Sequence, residues 1–186
     1  MSDIQPSFWR AWGSALRPRT LAAGVVPVAL GSALAHHVGS FKLWPALAAL
    51  AGALLLQIGS NFANDVFDFL KGADDEARLG PARATQKGWI SPKQMLIGTA
   101  LVFALSLLVG SYLIALGGWP IVAIGVSGMI CAFAYTGGPI PLGYKGLGDP
   151  LVFIFFGPVA VLGTYYVQVG EVTWKAAWAS ATVGLL

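Results

Sequence analysis

From Leu43 to Asn64 the chain carries no charged residue, and the same holds for Thr20–Ala35, Gln94–Leu116, Trp119–Tyr135 and Pro150–Gln168. A sixth apolar run begins near Trp174 and holds only Lys175 as a charge. A helix needs about 20 consecutive apolar residues to cross the hydrocarbon core of a bilayer. These runs read as membrane spans, because no soluble fold of this size could bury them all. Of the 186 residues, 56% are hydrophobic and 10% charged, against about 25% charged in a soluble domain. That balance excludes a cytosolic globular protein, a disordered tail and a nucleic-acid module. The predicted fold class is all-α: a polytopic transmembrane helical bundle, one domain over residues 1–186, with about five complete spans and the start of a sixth. The first span is short and holds Pro27, which membrane helices tolerate when neighbours satisfy the freed backbone groups. Cys131 is the single cysteine, so no disulfide frames the fold. Met1–Arg19 lacks an apolar core followed by a small-residue cleavage site and is not read as a signal peptide.

With a cytoplasmic N-terminus, Arg10, Arg17, Arg19, Lys71, Arg78, Arg83, Lys87, Lys93 and Lys145 fall inside, and only Lys42 and Lys175 outside. The positive-inside rule therefore orients the bundle. Asp3, Asp65, Asp68, Asp74, Asp75, Glu76 and Asp149 share the basic side, leaving Glu171 opposite. Acidic residues contribute little to orientation, so their clustering asks for a chemical reason. Trp9, Trp12, Trp44, Trp89, Trp119 and Trp174 lie near span ends and read as interface anchors.

The second span ends in a polar stripe. At about 100° per residue, Gln57, Asn61, Asn64, Asp65, Asp68 and Lys71 share an arc of roughly 120° on a helix otherwise made of Leu, Ala, Ile, Phe and Val. A carboxylate at the bilayer centre costs about 2.5–3.5 kcal/mol on insertion scales, so the stripe is expected to face a wet cavity or a cation. Asn64 and Asp68, four residues apart, stack their oxygens one turn above the other. Such hard ligands suit Mg²⁺, which takes one or two carboxylates and completes its shell with water and substrate phosphates. The following loop carries Lys71, Arg78, Arg83, Gln86 and Lys87 among its acidic residues. Arginine forks and lysine point charges beside such a cation form a reasonable diphosphate site.

Plainer readings stand beside this one. The stripe could be a helix end emerging into solvent, the loop a positive segment that only sets topology, or the stripe one wall of an ion or proton path. A transporter expects polar residues on the outer halves of several spans. Here those halves are Leu, Ala, Val and Gly, apart from His36 and His37 at one mouth. A structural membrane subunit without chemistry does not account for the stripe.

Asn64-Asp65-x-x-Asp68, a charged loop, Arg83 and Gly88-x-Ile90-Ser91 resemble the first aspartate motif and following loop of the UbiA superfamily of intramembrane prenyltransferases. The fuller form, Ser60-Asn61-x-x-Asn64-Asp65-x-x-Asp68-x-x-Lys71-Gly72-x-Asp74 with Arg78-x-Gly80-Pro81-x-Arg83-x-x-Gln86-Lys87-Gly88, is similar to the 1,4-dihydroxy-2-naphthoate polyprenyltransferase branch. Many superfamily members carry a further Asp where this chain has Gly72, and here Asp74 follows two residues later. A second block agrees: Tyr135-Thr136-Gly137-Gly138-Pro139, then Tyr144-Lys145-Gly146-Leu147-Gly148-Asp149, resembles the family's Tyr/Lys loop between its fourth and fifth helices. Read from its Gly and Pro content alone, that segment is a tight re-entrant loop at the membrane mouth, from which Lys145 and the two tyrosines, Tyr135 and Tyr144, would project toward the cavity.

The resemblance implies a bundle of about nine helices in the plasma or inner membrane. Mg²⁺ on two aspartate-rich motifs would help an allylic polyprenyl diphosphate ionise, and an aromatic ring would attack the allylic cation. In the naphthoate branch the ring is 1,4-dihydroxy-2-naphthoate, its carboxylate leaves as CO₂, and the product is demethylmenaquinone. Other branches prenylate 4-hydroxybenzoate, homogentisate or a chlorophyllide. Carried onto this sequence, Asn64, Asp68 and Asp74 are candidate metal ligands, with Asp65 an alternate. Asp65, Asp68, Tyr135 and Lys145 are candidate catalytic residues. Lys71, Arg78, Arg83, Gln86, Lys87 and Asp149 are candidate substrate-binding residues. The second aspartate-rich motif has no counterpart here, since Glu171 is the only acidic residue after Asp149. The expectation is a truncated prenyltransferase, one half of a split enzyme completed by a second polypeptide, or a degenerate relative, and a chain that does not transfer prenyl groups alone.

Overall fold

The computed structural model describes residues 6–72, 83–137 and 141–185, and these residues form helices and connecting turns with no β-strand among them. A short helix α1 (Phe8–Ala15) leads into α2 (Pro18–His37), α3 (Leu43–Leu70), α4 (Pro92–Gly117) and α5 (Trp119–Ala134). A 3-10 turn at Leu142–Lys145 precedes α6 (Gly148–Ile154). One π-helical turn, Phe155–Val159, joins α6 to α7 (Ala160–Val169), and α8 (Trp174–Gly184) follows. Four segments are long and apolar enough to cross a membrane: Pro18–His37, Leu43–Leu70, Pro92–Gly117 and Gly148–Val169. Trp119–Ala134 is apolar but shorter.

The expected spans match these helices, and α3 runs on past Asn64 to Leu70 as its polar stripe requires, with Asp65 and Asp68 inside a regular helix. One difference is that the expected single span Pro150–Gln168 carries a π-turn around Pro158. Proline has no N–H to donate, and its ring clashes with the carbonyl four residues back. One extra residue in the turn relieves that clash.

The α3 helix sits against α2, α4, α5 and α7, its most extensive partner being α4. Its polar C-terminal turns therefore arrive in the middle of the bundle mouth rather than at an edge. The end of α3, the start of α4, the end of α5 and the start of α6 share one end of the bundle, because Asp65 accepts from Ala84 and Thr85, Asn64 from Thr136, and Asp68 from Tyr144. Small residues permit close approach. A Cβ added to Gly31 of α2 would lie 2.6 Å from the Val161 carbonyl oxygen of α7. Nearby, Gln168, 1% exposed, accepts from the Lys42 backbone N–H at 3.2 Å and donates to Ser32 Oγ and the Thr164 carbonyl. This buried amide ties α7 to the C-terminal half of α2 and to the start of α3.

The end of the bundle that holds the polar residues has its own apolar core. Ala11, Ala15, Phe62, Val66, Ala84, Ile90 and Met95 pack together, with Trp12 and Trp89 against them. The loop from Arg83 to Ile90 is thereby folded onto α1, α3 and α4. Its last residues start α4 with a capping box: Gln94 N–H donates to Ser91 Oγ, and Ser91 N–H donates back to Gln94 Oε1 at 3.0 Å. The expectation for Trp12 as an interface anchor is corrected here. Its ring lies edge-on to Phe62 at 5.4 Å and occupies the space beside Gly98. Trp9, Trp44, Trp119 and Trp174 remain largely exposed, as interface anchors require.

Candidate functional site

The polar stripe of α3 divides into two parts with different partners. Toward the bundle interior, Asn61 is 3% exposed. Its Nδ2 donates to the Leu16 carbonyl and to Thr20 Oγ1, both at 2.9 Å, and its Oδ1 accepts from Gln57 at 3.4 Å. Asn61 thus fastens the α1–α2 junction to α3, and Gln57, one turn earlier on the same helix, supports its side-chain oxygen. Arg17 at that junction adopts a left-handed backbone, φ 51°, immediately before Pro18. The Asn61 amide holds the carbonyl just before this turn.

The other part, one to three turns later, gathers groups from distant segments. Asp68, 2% exposed, forms an ion pair with Arg83 of the loop and accepts a hydrogen bond from the Tyr144 hydroxyl of the 3-10 turn. Arg83, 5% exposed, also donates to the Asn64 carbonyl. The Asn64 side-chain oxygen accepts from Thr136 Oγ1 at 2.9 Å, and Lys71 Nζ donates to the Thr136 carbonyl at 2.7 Å. Buried charges persist only where paired and hydrogen-bonded, and this cluster meets that condition by joining α3, the 83–90 loop, the end of α5 and the 3-10 turn. Asp65, 1% exposed, uses both carboxylate oxygens on backbone donors: Ala84 N–H at 3.1 Å and Thr85 N–H at 3.0 Å.

The candidate residues fall around this cluster unequally. Asn64, Asp68, Lys71 and Arg83 are brought together, and Gln86 and Lys87 lie a turn further along the same loop, half-buried and exposed respectively. Tyr135 does not reach Asp68. Its ring lies against Gly143 and Gly148, and its carbonyl accepts the Gly143 N–H at 2.9 Å, so it shapes the loop. Lys145 is exposed beside Tyr144. Asp149 is exposed in the first turn of α6, where it edges a separate open groove of about 530 Å³ with Pro150, Phe153 and Gly184. Asp74 and Arg78 lie outside the described residues. Thr136 is a participant that the sequence does not single out. Tyr144 shares with Tyr135 the expectation of projecting toward the cavity, and nothing in spacing distinguishes the two until the loop is folded.

No group of three or more His, Cys, Asp or Glu able to hold a metal occurs among the described residues. Asn64 and Asp68 are two hard oxygen donors one turn apart, which fits a cation that shares its shell with a substrate's phosphates and does not fit an all-protein cage. Beside the cluster runs an apolar groove of about 420 Å³ lined by Phe67, Met129, Ile130, Phe133, Ala134 and Gly137. Phe67 and Gly137 adjoin Asp68 and Thr136 in the chain, so polar cluster and groove share a border.

Three protein comparisons bear on this arrangement. Over 175 residues the chain is 41% identical to "1,4-dihydroxy-2-naphthoate octaprenyltransferase" of Mycobacterium tuberculosis, covering 94% of this chain and 60% of that protein. It is 40% identical to the protein of the same name from Escherichia coli, covering 90% of this chain and 56% of that one. It is 34% identical to "UbiA prenyltransferase domain-containing protein 1" of Danio rerio, with 90% and 50% covered. The chain thus spans between half and three-fifths of the length of these relatives. Residues 24–186 match the model of the UbiA prenyltransferase family. With its all-helical apolar bundle, and with the aspartate motif and the Tyr/Lys loop meeting at one mouth, this chain is a membrane protein that belongs to the UbiA prenyltransferase family.

Proposed function

We propose that this chain forms the diphosphate-binding part of a polyprenyltransferase that prenylates 1,4-dihydroxy-2-naphthoate with decarboxylation, in menaquinone biosynthesis. The observation that carries this reading is the convergence of Asp68, Arg83 and Tyr144 from three segments beside an apolar groove. A polyprenyl diphosphate is an anionic head on a long apolar tail, and the mouth offers a partner for each. Arg83 carries the fork that matches phosphate oxygens, here engaged by Asp68 and the Asn64 carbonyl, and Lys71 and Lys87 add point charges nearby. Phe67, Ile130 and Phe133 offer the tail an apolar wall that excludes water from the allylic carbon. Asn64 and Asp68 would hold Mg²⁺, which supplies neutralisation of the charge that develops on the leaving diphosphate. The positive-inside count supports a cytoplasmic side for this mouth and the N-terminus, and the reading takes the membrane to be the plasma or inner membrane.

Asp68 can serve a cation only by exchanging one of its two present partners. Tyr144 is the easier to release, since it is 54% exposed on a short turn, whereas Arg83 is buried. Tyr144→Phe is therefore expected to tighten Mg²⁺ binding by up to about tenfold, because a competing hydrogen bond to a charged group disappears. Isothermal titration of the purified chain in nanodiscs checks this; weaker binding in the variant would assign Tyr144 to holding the site together instead.

The function itself is tested in two ways. The purified chain should bind a non-hydrolysable polyprenyl thiodiphosphate in a Mg²⁺-dependent manner. Membranes of a strain lacking its own naphthoate prenyltransferase, expressing this gene, should convert radiolabelled polyprenyl diphosphate and dihydroxynaphthoate to demethylmenaquinone. Preference for 4-hydroxybenzoate or homogentisate in the same panel would move the protein to another branch of the family.

A further inference from the structure

We infer that Asp65 is a positioning residue, which sets Arg83 over Asp68 by anchoring the backbone that follows it. Successive amides, Ala84 N–H and Thr85 N–H, point at separate oxygens of one carboxylate at 3.1 and 3.0 Å. That carboxylate is 1% exposed and projects from α3 one turn before Asp68. Arg83 immediately precedes the anchored pair and reaches back to Asp68 and the Asn64 carbonyl. The chain between them is one peptide unit, so fixing Ala84 and Thr85 fixes where the guanidinium starts from. The turn is closed further by Lys87 N–H to the Arg83 carbonyl and Gly88 N–H to the Thr85 carbonyl, both at 3.0 Å, with Gly88 at φ 68°. Ala84 and Thr85 are themselves buried, 1% and 2% exposed.

A carboxylate is needed for a chemical reason. Two convergent N–H donors require two acceptor oxygens, and an aspartate supplies both with a charge that the donors stabilise. An asparagine in the same place supplies one oxygen and turns its NH₂ against the second amide. Both partners of Asp65 are buried backbone amides, whereas Asp68 has in Tyr144 an exposed partner it can exchange, so the sequence motif's two aspartates acquire separate roles. Asp68 faces the ligand, and Asp65 holds the arginine that shares it. The anchoring stands on this geometry alone; its consequence for a diphosphate rests on the function proposed above.

The test uses the chain in nanodiscs with ¹⁵N-arginine, the Arg83 signals being assigned by their loss in Arg83→Lys. A guanidinium held in a buried ion pair rotates slowly and gives resolved Nη resonances. In Asp65→Asn these should collapse into the envelope of mobile arginines while helix content and amide protection within α3 stay unchanged. Unaltered Arg83 resonances in Asp65→Asn would overturn the inference. Should that variant not fold, the wild-type chain still decides: Ala84 and Thr85 amides must exchange slowly, and exchange at the rate of solvated peptide would also overturn it. Binding of Mg²⁺-pyrophosphate gives the coupling to function. Asp65→Asn should weaken it about tenfold in the wild-type background and negligibly in Arg83→Ala, since one acts through the other. Equal losses in both backgrounds would refute the route through Arg83. No binding by the wild type would defeat the proposed function and leave the resonance test standing.

Discussion

Replacing Asp68 by alanine is expected to destabilise the chain by about 3–5 kcal/mol and to abolish Mg²⁺-dependent diphosphate binding. The stability loss comes from the Arg83 guanidinium, which is 5% exposed and would remain charged without its carboxylate. An arginine does not escape by deprotonating, so the loop must open to hydrate it. That opening detaches the 83–90 segment from α3 and frees Tyr144 of the 3-10 turn. A second variant separates fold from chemistry. Apolar pairs of similar volume often replace a buried ion pair at no cost to stability, so Asp68→Leu with Arg83→Met should recover most of the lost stability and none of the binding. Unfolding in mixed micelles titrated with denaturing detergent measures the first, and calorimetric titration with Mg²⁺-pyrophosphate the second. Retained binding in the apolar double variant would show that the ligand is held elsewhere.

The second large effect concerns the α2–α7 contact. Gly31→Ala places a Cβ 2.6 Å from the Val161 carbonyl oxygen and 2.9 Å from Thr164 Cβ. The first obstacle is backbone and cannot rotate aside, so the two helices must part. Forced overpacking of this kind costs typically about 1–3 kcal/mol and occasionally more. Separation also strains the Gln168 bonds to Ser32 and to the Lys42 amide, which lie along the same seam. We expect a loss of about 3 kcal/mol for Gly31→Ala and no folded protein for Gly31→Leu. Gly24→Ala is the control on the same helix. Its Cβ would meet Ala53 oxygen at an ordinary 3.6 Å, and alanine favours the helix by up to about 1 kcal/mol. It should be neutral or stabilising. The same detergent titration compares the two, and equal behaviour would show that α2 and α7 separate readily.

Much of this protein is legible in the chain because the bilayer removes alternatives. A charge-free run such as Leu43–Asn64 has no other stable state in hydrocarbon than a helix that satisfies its own backbone. The positions of the apolar helices follow from that constraint. The stripe on α3 was legible for the same reason, since helical periodicity alone puts Asn61, Asn64, Asp65 and Asp68 on one face.

Which of those polar groups face one another, and which face a ligand, was not legible. Asn61 and Asp68 differ by less than two turns, yet one holds the Leu16 carbonyl and the other pairs with Arg83. Asp65 and Asp68 carry identical side chains with different tasks, because one meets two backbone amides and the other an arginine and a phenol. Tyr135 and Tyr144, both expected to face the cavity, part for a similar reason: the first has its ring against Gly143 and Gly148, and the second reaches Asp68. The sequence by itself determined that the chain crosses a membrane as helices with its polar chemistry at one mouth, because hydrocarbon tolerates nothing else. Only the tertiary structure decided the partners at that mouth. Hydrogen bonds and ion pairs act over about 3 Å, and residues far apart in the chain reach that range only once the loops have folded back onto α3.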